Sequence, residues 1–166
     1  LQAMIARQPD ALLIPPTDKQ QLIAPLRQAH DAGIKVITVD TFIDDGKYQD
    51  GSGEGDFPLS YVASDNVMGG RMAARALAQA IGEKGKVYVS NVKPGISTTD
   101  QREQGFKEGM AEFANIEVLE TQFNDNDANK ASSQLQAVFA RNQDLAGVFG
   151  ANLFSAFGAA DGVKAA

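Results

Sequence analysis

The sequence predicts an α/β fold built on parallel sheets. Short apolar runs of the strand type alternate with amphipathic helical segments, in the regular order that is typical of βαβ units. Examples of the strand type are KVITVD (35–40) and KVYVSNV (86–92). The helical type is clearest where Phe106, Met110 and Phe113 recur at i, i+4 and i+7. The same alternation in both halves of the chain favours strands that all run in one direction.

The first half contains a predicted strand, ALLIPP (11–16), followed by a helix. Thr17 has the character of a helix N-cap, with Gln20 in the capping-box position, and Gly33 ends the helix. The helix places three apolar residues on one face: Leu22, Leu26 and Ala29. After the strand 35–40, residues 41–59 carry four glycines and several carboxylates. This stretch predicts either a functional flap or a surface insertion, because long structureless connections are uncommon in compact domains.

The second half repeats the order of strand and helix. Its predicted strands are SYVAS (60–64), KVYVSNV (86–92), IEVLETQF (116–123) and LAGVFG (145–150). The residues predicted to begin the helices between them are Asp65, Thr98 and Asp127. The last strand is followed by a helix of small residues that continues to the end of the sequence.

Composition excludes several classes of function. The 166 residues carry 15 Lys and Arg against 21 Asp and Glu, and the net charge of -6 disfavours nucleic acid and anionic lipid as partners. Cysteine is absent, which excludes a thiolate nucleophile and a disulfide framework. No apolar run approaches the ~20 residues that a transmembrane helix needs. The first residues lack the features of a signal peptide, and both ends lack helix caps, so we expect a fragment of a longer protein.

No catalytic residue, metal site or cofactor is predicted. His30 is the only histidine, and its helical spacing from Leu26 predicts a partly buried residue near the surface rather than a catalytic base. Neither a P-loop nor a GxGxxG turn lies between a strand and a helix. The acidic residues of the 41–59 stretch do not follow the spacing of a calcium loop and favour a solvated acidic loop. An enzyme therefore has no positive support in the sequence.

Polar side chains of the binding type follow the predicted strands. Asp40 closes one strand, Asn152 follows another, and Arg102 lies in the helix after a third. Ligands of open α/β sheets bind outside the carboxyl ends of the strands. Carboxylate, amide and guanidinium groups pair well with vicinal hydroxyls, which predicts recognition of a sugar or polyol.

Each of these three residues also has an ordinary structural role open to it. Asp40 could cap the loop that follows it, and Asn152 could cap the next helix. Arg102 could form a surface ion pair with Glu103 or Glu108. The functional role gains weight because all three residues fall at equivalent ends of predicted parallel strands.

Five segments resemble the sugar-binding proteins of bacterial ABC importers, of the ribose-binding type. They are PDALLIPPTD, DAGIKVITVD, YVASDNVMGGRMAA, TTDQREQGFKEGM and NQDLAGVFGAN, within which SDNxxGG and RxxGF are fairly specific. The resemblance implies the two-lobed periplasmic binding protein type 1 fold, with Rossmann-like parallel sheets, here incomplete at both ends. It assigns residues 1–63 to the later part of the N-terminal lobe and residues 64–166 to most of the C-terminal lobe. It also implies that the lobes close on a sugar about a hinge.

The resemblance implies roles for individual residues as well. Asp40 would accept hydrogen bonds from sugar hydroxyls, Arg102 would donate to ring or hydroxyl oxygens, and Asn152 would supply an amide contact. The hinge crossing would contain three consecutive residues: Ser64, Asp65 and Asn66.

This sequence departs from the ribose-binding pattern at several positions. Thr41 stands where ribose binders carry Arg, Asn126 stands where they place an aromatic wall, and Leu153 stands where many relatives have an acid. Phe42 and Phe154 are available as replacement stacking surfaces or as core residues. Thr41, Asn126 and Phe154 are therefore added to the expected ligand contacts, and the ligand need not be ribose.

These features predict the solute-binding component of an ABC importer, which binds a monosaccharide or related polyol and presents it to permease subunits in the membrane. We expect it in the periplasm, or on the cell surface as a lipoprotein in a Gram-positive bacterium. The main alternative is the effector domain of a sugar-responsive LacI-type transcription repressor, which would carry an N-terminal helix-turn-helix. A sugar-modifying enzyme is a further alternative that would need a base or metal site outside this sequence.

Overall fold

A computed structural model describes residues 1–165, which divide into two compact units. The first unit comprises Leu1–Ser64 and Gly95–Thr98, and the second comprises Asp65–Pro94 and the residues from Thr99 onward. Each unit contains a sheet in which every strand pairing is parallel, with helices in the connections. The predicted α/β fold with parallel sheets is confirmed.

The first unit is built on a three-stranded sheet with the order β1-β2-β3. Its elements are α1 (Gln2–Ile5), β1 (Ala11–Ile14), α2 (Ile23–Asp31), β2 (Lys35–Val39) and β3 (Ser60–Val62). Leu12 of β1 pairs with Val36 of β2, and both are buried in one core cluster with Leu26 and Ala29 of α2. The alternation of buried and exposed residues along β1 and β2 follows from the two-residue period of a strand.

Helix α2 begins five residues later than predicted, at Ile23, and its N-cap is Leu22 rather than Thr17. The carboxylate of Asp18 instead accepts hydrogen bonds from the backbone N–H groups of Gln20 (3.0 Å) and Gln21 (2.9 Å). These bonds hold the intervening residues in a turn, since a short carboxylate competes with the helix for nearby backbone donors. The predicted end is confirmed, because Gly33 adopts a φ of 85°, a conformation that glycine reaches without strain.

Residues 41–59 contain neither helix nor strand, yet part of the segment is packed into the first unit. Ile43 is fully buried and Phe57 is 6% exposed, both within the core cluster. The hydroxyl of Tyr48 bonds to the hydroxyl of Thr38 and to the backbone N–H of Ile43, each at 3.0 Å. The expected solvated acidic loop describes only some of its residues, namely the exposed Asp45, Asp50 and Glu54.

The second unit is built on a four-stranded sheet around β4. Its elements are α3 (Asn66–Ala80), β4 (Gly85–Asn91), α4 (Ser97–Met110), β5 (Ile116–Val118), β6 (Gln122–Phe123), α5 (Ala128–Arg141), β7 (Leu145–Gly150) and α6 (Leu153–Ala165). The first two residues of α4 are grouped with the first unit. The predicted strand 116–123 is interrupted, so that β5 and β6 pair with the two ends of β4 while β7 pairs along its middle.

The predicted starts of two helices of the second unit are confirmed by side-chain caps. The carboxylate of Asp65 accepts a hydrogen bond from the backbone N–H of Met68 at 2.9 Å. The carboxylate of Asp127 accepts from the N–H groups of Asn129 and Lys130. Each cap satisfies backbone donors that have no partner inside the helix. No helix within residues 1–165 combines the length and the apolar character needed to cross a bilayer.

Helices α3 and α4 approach each other closely at two glycines. A Cβ added at Gly70 would overlap the backbone oxygen of Arg102 and lie 2.7 Å from the backbone nitrogen of Phe106. A Cβ added at Gly105 would overlap the backbone oxygen of Val67. These glycines belong to the SDNxxGG and RxxGF segments, so both segments fix the separation of the two helices. Side chains of any size at these positions would force the backbones apart.

We expect Gly70→Ala to destabilise the intact protein by about 1–3 kcal/mol, because the added methyl group meets backbone rather than a movable side chain. The measurement is the midpoint of urea unfolding. Gly69→Ala is the matched control, since a Cβ at Gly69 has no neighbour within 4 Å. Alanine in place of an exposed helical glycine is expected to be neutral or stabilising by up to ~1 kcal/mol. Equal effects of the two substitutions would contradict the packing argument.

Candidate functional site

Asp40 lies directly after β2, where hydrogen bonds hold its backbone and, within residues 1–165, none reaches its carboxylate. Its φ of 66° is in the left-handed region, which aspartate tolerates better than most residues. Its N–H donates to the oxygen of Val62 at 2.9 Å, and its backbone oxygen accepts from the hydroxyl of Tyr61 at 3.1 Å. Among residues 1–165 no group donates a hydrogen bond to its carboxylate, so the alternative of a loop cap is wrong. Both carboxylate oxygens are available as acceptors.

Thr41 and Phe42 continue the chain from Asp40. Thr41 is 5% exposed, and its hydroxyl has no hydrogen-bond partner in the described part of the chain. A buried hydroxyl that lacks a partner is costly, so this group has unmet hydrogen-bonding capacity. The ring of Phe42 meets that of Tyr61 edge-on with centroids 5.4 Å apart, and its N–H donates to the hydroxyl of Ser97 at 3.0 Å. Phe42 is half-buried within the first unit.

Arg102 is held in place by two of its own donors in the second unit. Nε donates to the side-chain oxygen of Asn66 at 2.9 Å, and Nη1 donates to the backbone oxygen of Ala151 at 3.0 Å. These bonds tie α4 to the first residue of α3 and to the end of β7. Nη2 makes no hydrogen bond to another residue of the described range. The guanidinium group is thus oriented by the protein and retains donors for a ligand.

The alternative that Arg102 pairs with Glu103 or Glu108 is wrong. Glu108 pairs with Arg71, with Nη2 and Oε2 2.6 Å apart. Glu103 accepts hydrogen bonds from three side chains, each at 2.6 Å: Lys107, Thr121 and Asn91. Since those donors come from α4, the segment before β6 and the end of β4, Glu103 ties these three elements together.

The pKa of the Glu103 carboxyl lies below its ordinary value. Burial of the group raises the pKa, but the hydrogen bonds from Lys107, Thr121 and Asn91 and the charge of Lys107 together outweigh it. A carboxylate that is charged and bonded on several sides stabilises the folded state only while it remains ionised.

Asn152 caps helix α6 and also bonds to a second asparagine. Its Oδ1 accepts from the backbone N–H of Ser155 at 3.0 Å, which confirms the structural role foreseen for it. Its Nδ2 donates to Oδ1 of Asn126 at 2.6 Å. Asn126 has a φ of 65° and is exposed. The structure therefore brings these two predicted contact residues together.

Asn124 is a further residue of this region, and it was not predicted from the sequence. Asn124 is fully buried at the end of β6, and its Nδ2 donates to the hydroxyls of Ser90 (3.0 Å) and Ser155 (2.7 Å). Its Oδ1 accepts from the N–H of Asn126 at 2.9 Å. The available signal was the run FNDND directly after a strand, because short polar residues in that position often bond to the following backbone.

The remaining predicted residues lie at the boundary of the units or on α6. Ser64 is the last residue of one segment of the first unit, Asp65 begins the second unit, and Asn66 opens α3. Phe154 is 44% exposed and takes no part in the described core, which decides between its two predicted roles against core packing. Leu153 beside it is 62% exposed. Within residues 1–165 no group of three or more His, Asp or Glu is placed to hold a metal ion.

Comparison with known proteins gives a match over the whole sequence. The family model described as periplasmic binding protein domain matches residues 1–166. A solved ABC transporter solute-binding protein of Agrobacterium vitis, bound with α-D-tagatopyranose, is 72% identical with a TM-score of 0.97. That similarity covers 99% of this chain and 55% of the other.

More distant relatives are also binding proteins. The ribose import binding protein of Bacillus subtilis is 32% identical over 93% of this chain and 47% of its own length. A periplasmic solute-binding protein of Actinobacillus succinogenes with bound D-allose is 30% identical, with a TM-score of 0.85, over 99% of this chain and 57% of the other. These relatives are binding proteins rather than enzymes. The chain spans about half the length of the curated relatives it matches.

We expect Glu103→Gln to cost the intact protein on the order of 1–3 kcal/mol at pH 7, because an amide cannot accept from all three donors. The folded-state pKa of Glu103 is depressed, so its contribution is complete above the unfolded pKa of ~4.3 and is lost as the pH falls through the folded value. The difference between wild type and variant should therefore shrink below pH ~4. Urea unfolding at pH 7 and pH 3.5 measures it.

Glu117→Gln is the control for the loss of one negative charge, because the side chain of Glu117 is 63% exposed. It should change stability by less than ~0.5 kcal/mol at pH 7. A Glu103→Gln difference that stays constant between the two pH values would rule out ionised Glu103 as the source of the stabilisation.

Proposed function

Because the chain belongs to the periplasmic binding protein domain family, we propose that the intact protein is the sugar-binding component of an ABC importer. The observation that carries the proposal is the 72% identical solute-binding protein that holds α-D-tagatopyranose. A ketohexose in its pyranose form is the ligand class that this similarity favours. D-tagatose is therefore the first sugar to test.

The proposed contacts are polar groups at the carboxyl ends of strands. Asp40 accepts from sugar hydroxyls, since its carboxylate has no protein donor in the described range. Arg102 donates through Nη2, and Asn152 donates through its second Nδ2 hydrogen. Asn126 contributes an amide where the ribose-binding pattern has an aromatic ring. Such charged and amide groups make paired hydrogen bonds with vicinal hydroxyls.

Thr41 and Phe154 complete the proposed contact set. The unpartnered hydroxyl of Thr41 supports a role as donor or acceptor toward a ligand or an ordered water. The exposed ring of Phe154 supports a role as an apolar surface for the carbon skeleton of a sugar. These two residues are added to the polar contacts proposed in the preceding paragraph.

We propose the remaining features of the intact protein from its family membership. Residues 1–63 form the later part of an N-terminal lobe and residues 64–166 most of a C-terminal lobe, with Ser64, Asp65 and Asn66 at the hinge. Sugar binding then selects a closed state that membrane permease subunits engage. The protein acts in the periplasm, or at the cell surface as a lipoprotein. The reported relatives are binding proteins, so they add no support to a repressor or an enzyme.

We expect Arg102→Ala to weaken D-tagatose binding by the intact protein at least about 100-fold, because it removes a charged donor that the protein has already oriented. Isothermal titration calorimetry measures the affinity, and urea unfolding checks that the variant is folded. Arg75→Ala is the matched control, since Arg75 is exposed and pairs with Glu112. Unchanged affinity of a folded Arg102→Ala variant would remove Arg102 from the site.

We expect Asp40→Asn to weaken the same binding about 10- to 100-fold, because an amide replaces a charged double acceptor by one acceptor and one donor. Asparagine tolerates the left-handed backbone that Asp40 adopts, so the substitution changes the side chain without straining the chain. Asp45→Asn, on the exposed part of the 41–59 segment, is the control. Calorimetry that shows equal affinity for the two variants would exclude Asp40 as a ligand contact.

A further inference from the structure

Four residues of the second unit form a closed ring of hydrogen bonds. The N–H of Asn126 donates to Oδ1 of Asn124 (2.9 Å), whose Nδ2 donates to the hydroxyl of Ser155 (2.7 Å). The N–H of Ser155 donates to Oδ1 of Asn152 (3.0 Å), whose Nδ2 donates back to Oδ1 of Asn126 (2.6 Å). The ring joins the residues after β6 to the start of α6. Two of its members are proposed sugar contacts, and two are fully buried.

The donor pattern allows only one orientation of the Asn124 amide. Its Oδ1 faces the backbone N–H of Asn126, which can only donate. A rotation of the amide by 180° would place Nδ2 against that N–H, so that two donors would face each other. The Nδ2 group is fully used in the observed orientation, because it donates to both Ser90 and Ser155. Asn124 is therefore a fixed and fully bonded side chain in the core.

The orientation of the two outer amides is set by the backbone N–H of Ser155, the residue whose hydroxyl accepts from Asn124. Asn152 turns its Oδ1 toward the N–H of Ser155, so its Nδ2 must face Asn126. Asn126 accepts this hydrogen bond through its Oδ1, which leaves its own Nδ2 without a partner in the described part of the chain. The outer surface of the ring thus presents N–H donors from both Asn126 and Asn152.

Asn124 also supports an unusual stretch of backbone. Asp125 and Asn126 have φ values of 55° and 65°, a left-handed conformation that residues other than glycine keep only where their surroundings hold them in it. Asn124 bonds to this stretch twice, through its Oδ1 to the N–H of Asn126 and through its backbone oxygen to the N–H of Asp127 at 3.0 Å. Loss of its side chain would release the loop that carries Asn126.

We propose that Asn124 is a positioning residue for sugar discrimination. Through the ring, Asn124 fixes Asn126 and Asn152. Their N–H donors then match the hydroxyl positions of one sugar and do not match those of its epimer. The proposal rests on the sugar-binding function proposed above. A site of fixed donors rejects an epimer strongly, because the epimer leaves buried polar groups unpaired.

The test is Asn124→Ala in the intact protein, with two measurements. The first is NMR of the sugar-free protein, in which exchange of the Asn152 and Asn126 side-chain amide protons should become at least about tenfold faster. The second is calorimetry with D-tagatose, with D-fructose, which is its C4 epimer, and with D-sorbose, which is its C3 epimer. We expect about tenfold weaker binding of the preferred ketose and a fall of at least about fivefold in its affinity ratio over the epimers.

Asn91→Ala is the matched control. Asn91 is equally buried and also lies at the end of a strand in this sheet, but it bonds to Glu103 and to the N–H of Val92, outside the ring. It should lose stability and keep both the amide exchange rates and the epimer ratio. Ser155→Ala removes only the bond from Asn124 Nδ2 to the hydroxyl and keeps the bond from the N–H of Asn126 to Asn124. It makes a smaller change of volume and should shift both readouts in the same direction as Asn124→Ala.

The two readouts separate the inference from the function on which it rests. Unchanged amide exchange together with an unchanged epimer ratio in Asn124→Ala and Ser155→Ala would overturn the positioning role. Wild-type protein that binds none of the three ketoses would overturn the proposed ligand class, while the exchange rates would still decide whether Asn124 holds the two amides.

Discussion

The close contact between α3 and α4 is the constraint on which the second unit's site depends. Gly70 and Gly105 let the two backbones meet, and this contact places Arg102 where it reaches both Asn66 and Ala151. With a larger separation, a single guanidinium group would not bridge the start of α3 and the end of β7. Gly70 and Gly105 are thus packing residues that determine the position of the Arg102 guanidinium group.

Much of the fold follows from local patterns in the sequence. Strand positions were predictable from apolar runs, and the caps at Asp65 and Asp127 were predictable because a capping carboxylate acts within three residues of itself. Thr17 failed as a cap for an equally local reason, since Asp18 beside it takes the available N–H groups first. Two neighbouring residues that are both good caps cannot be ranked by pattern alone.

The site was less accessible from sequence. Asp40, Arg102 and Asn152 were identified by their place relative to strands, and Asn126 by the family resemblance. Their hydrogen-bond partners lie up to 49 positions away and leave no trace in spacing. Asn124 was missed because a polar run after a strand predicts a turn on the surface, whereas this side chain is fully buried. Burial of a polar residue depends on what packs over it, which here is Ser155 of a helix that begins 29 residues later.

The ring also gives a physical reason for an amide in place of an aromatic wall. An aromatic ring covers the apolar face of a sugar and is largely indifferent to the orientation of any one hydroxyl. An exposed amide on a left-handed loop would discriminate poorly if it were free to rotate, since it could offer either its oxygen or its nitrogen. Bonded through its side chain to Asn152 and through its backbone N–H to buried Asn124, Asn126 offers only nitrogen. Replacement of an aromatic ring by asparagine therefore gains selectivity only together with the buried groups that hold the asparagine in place.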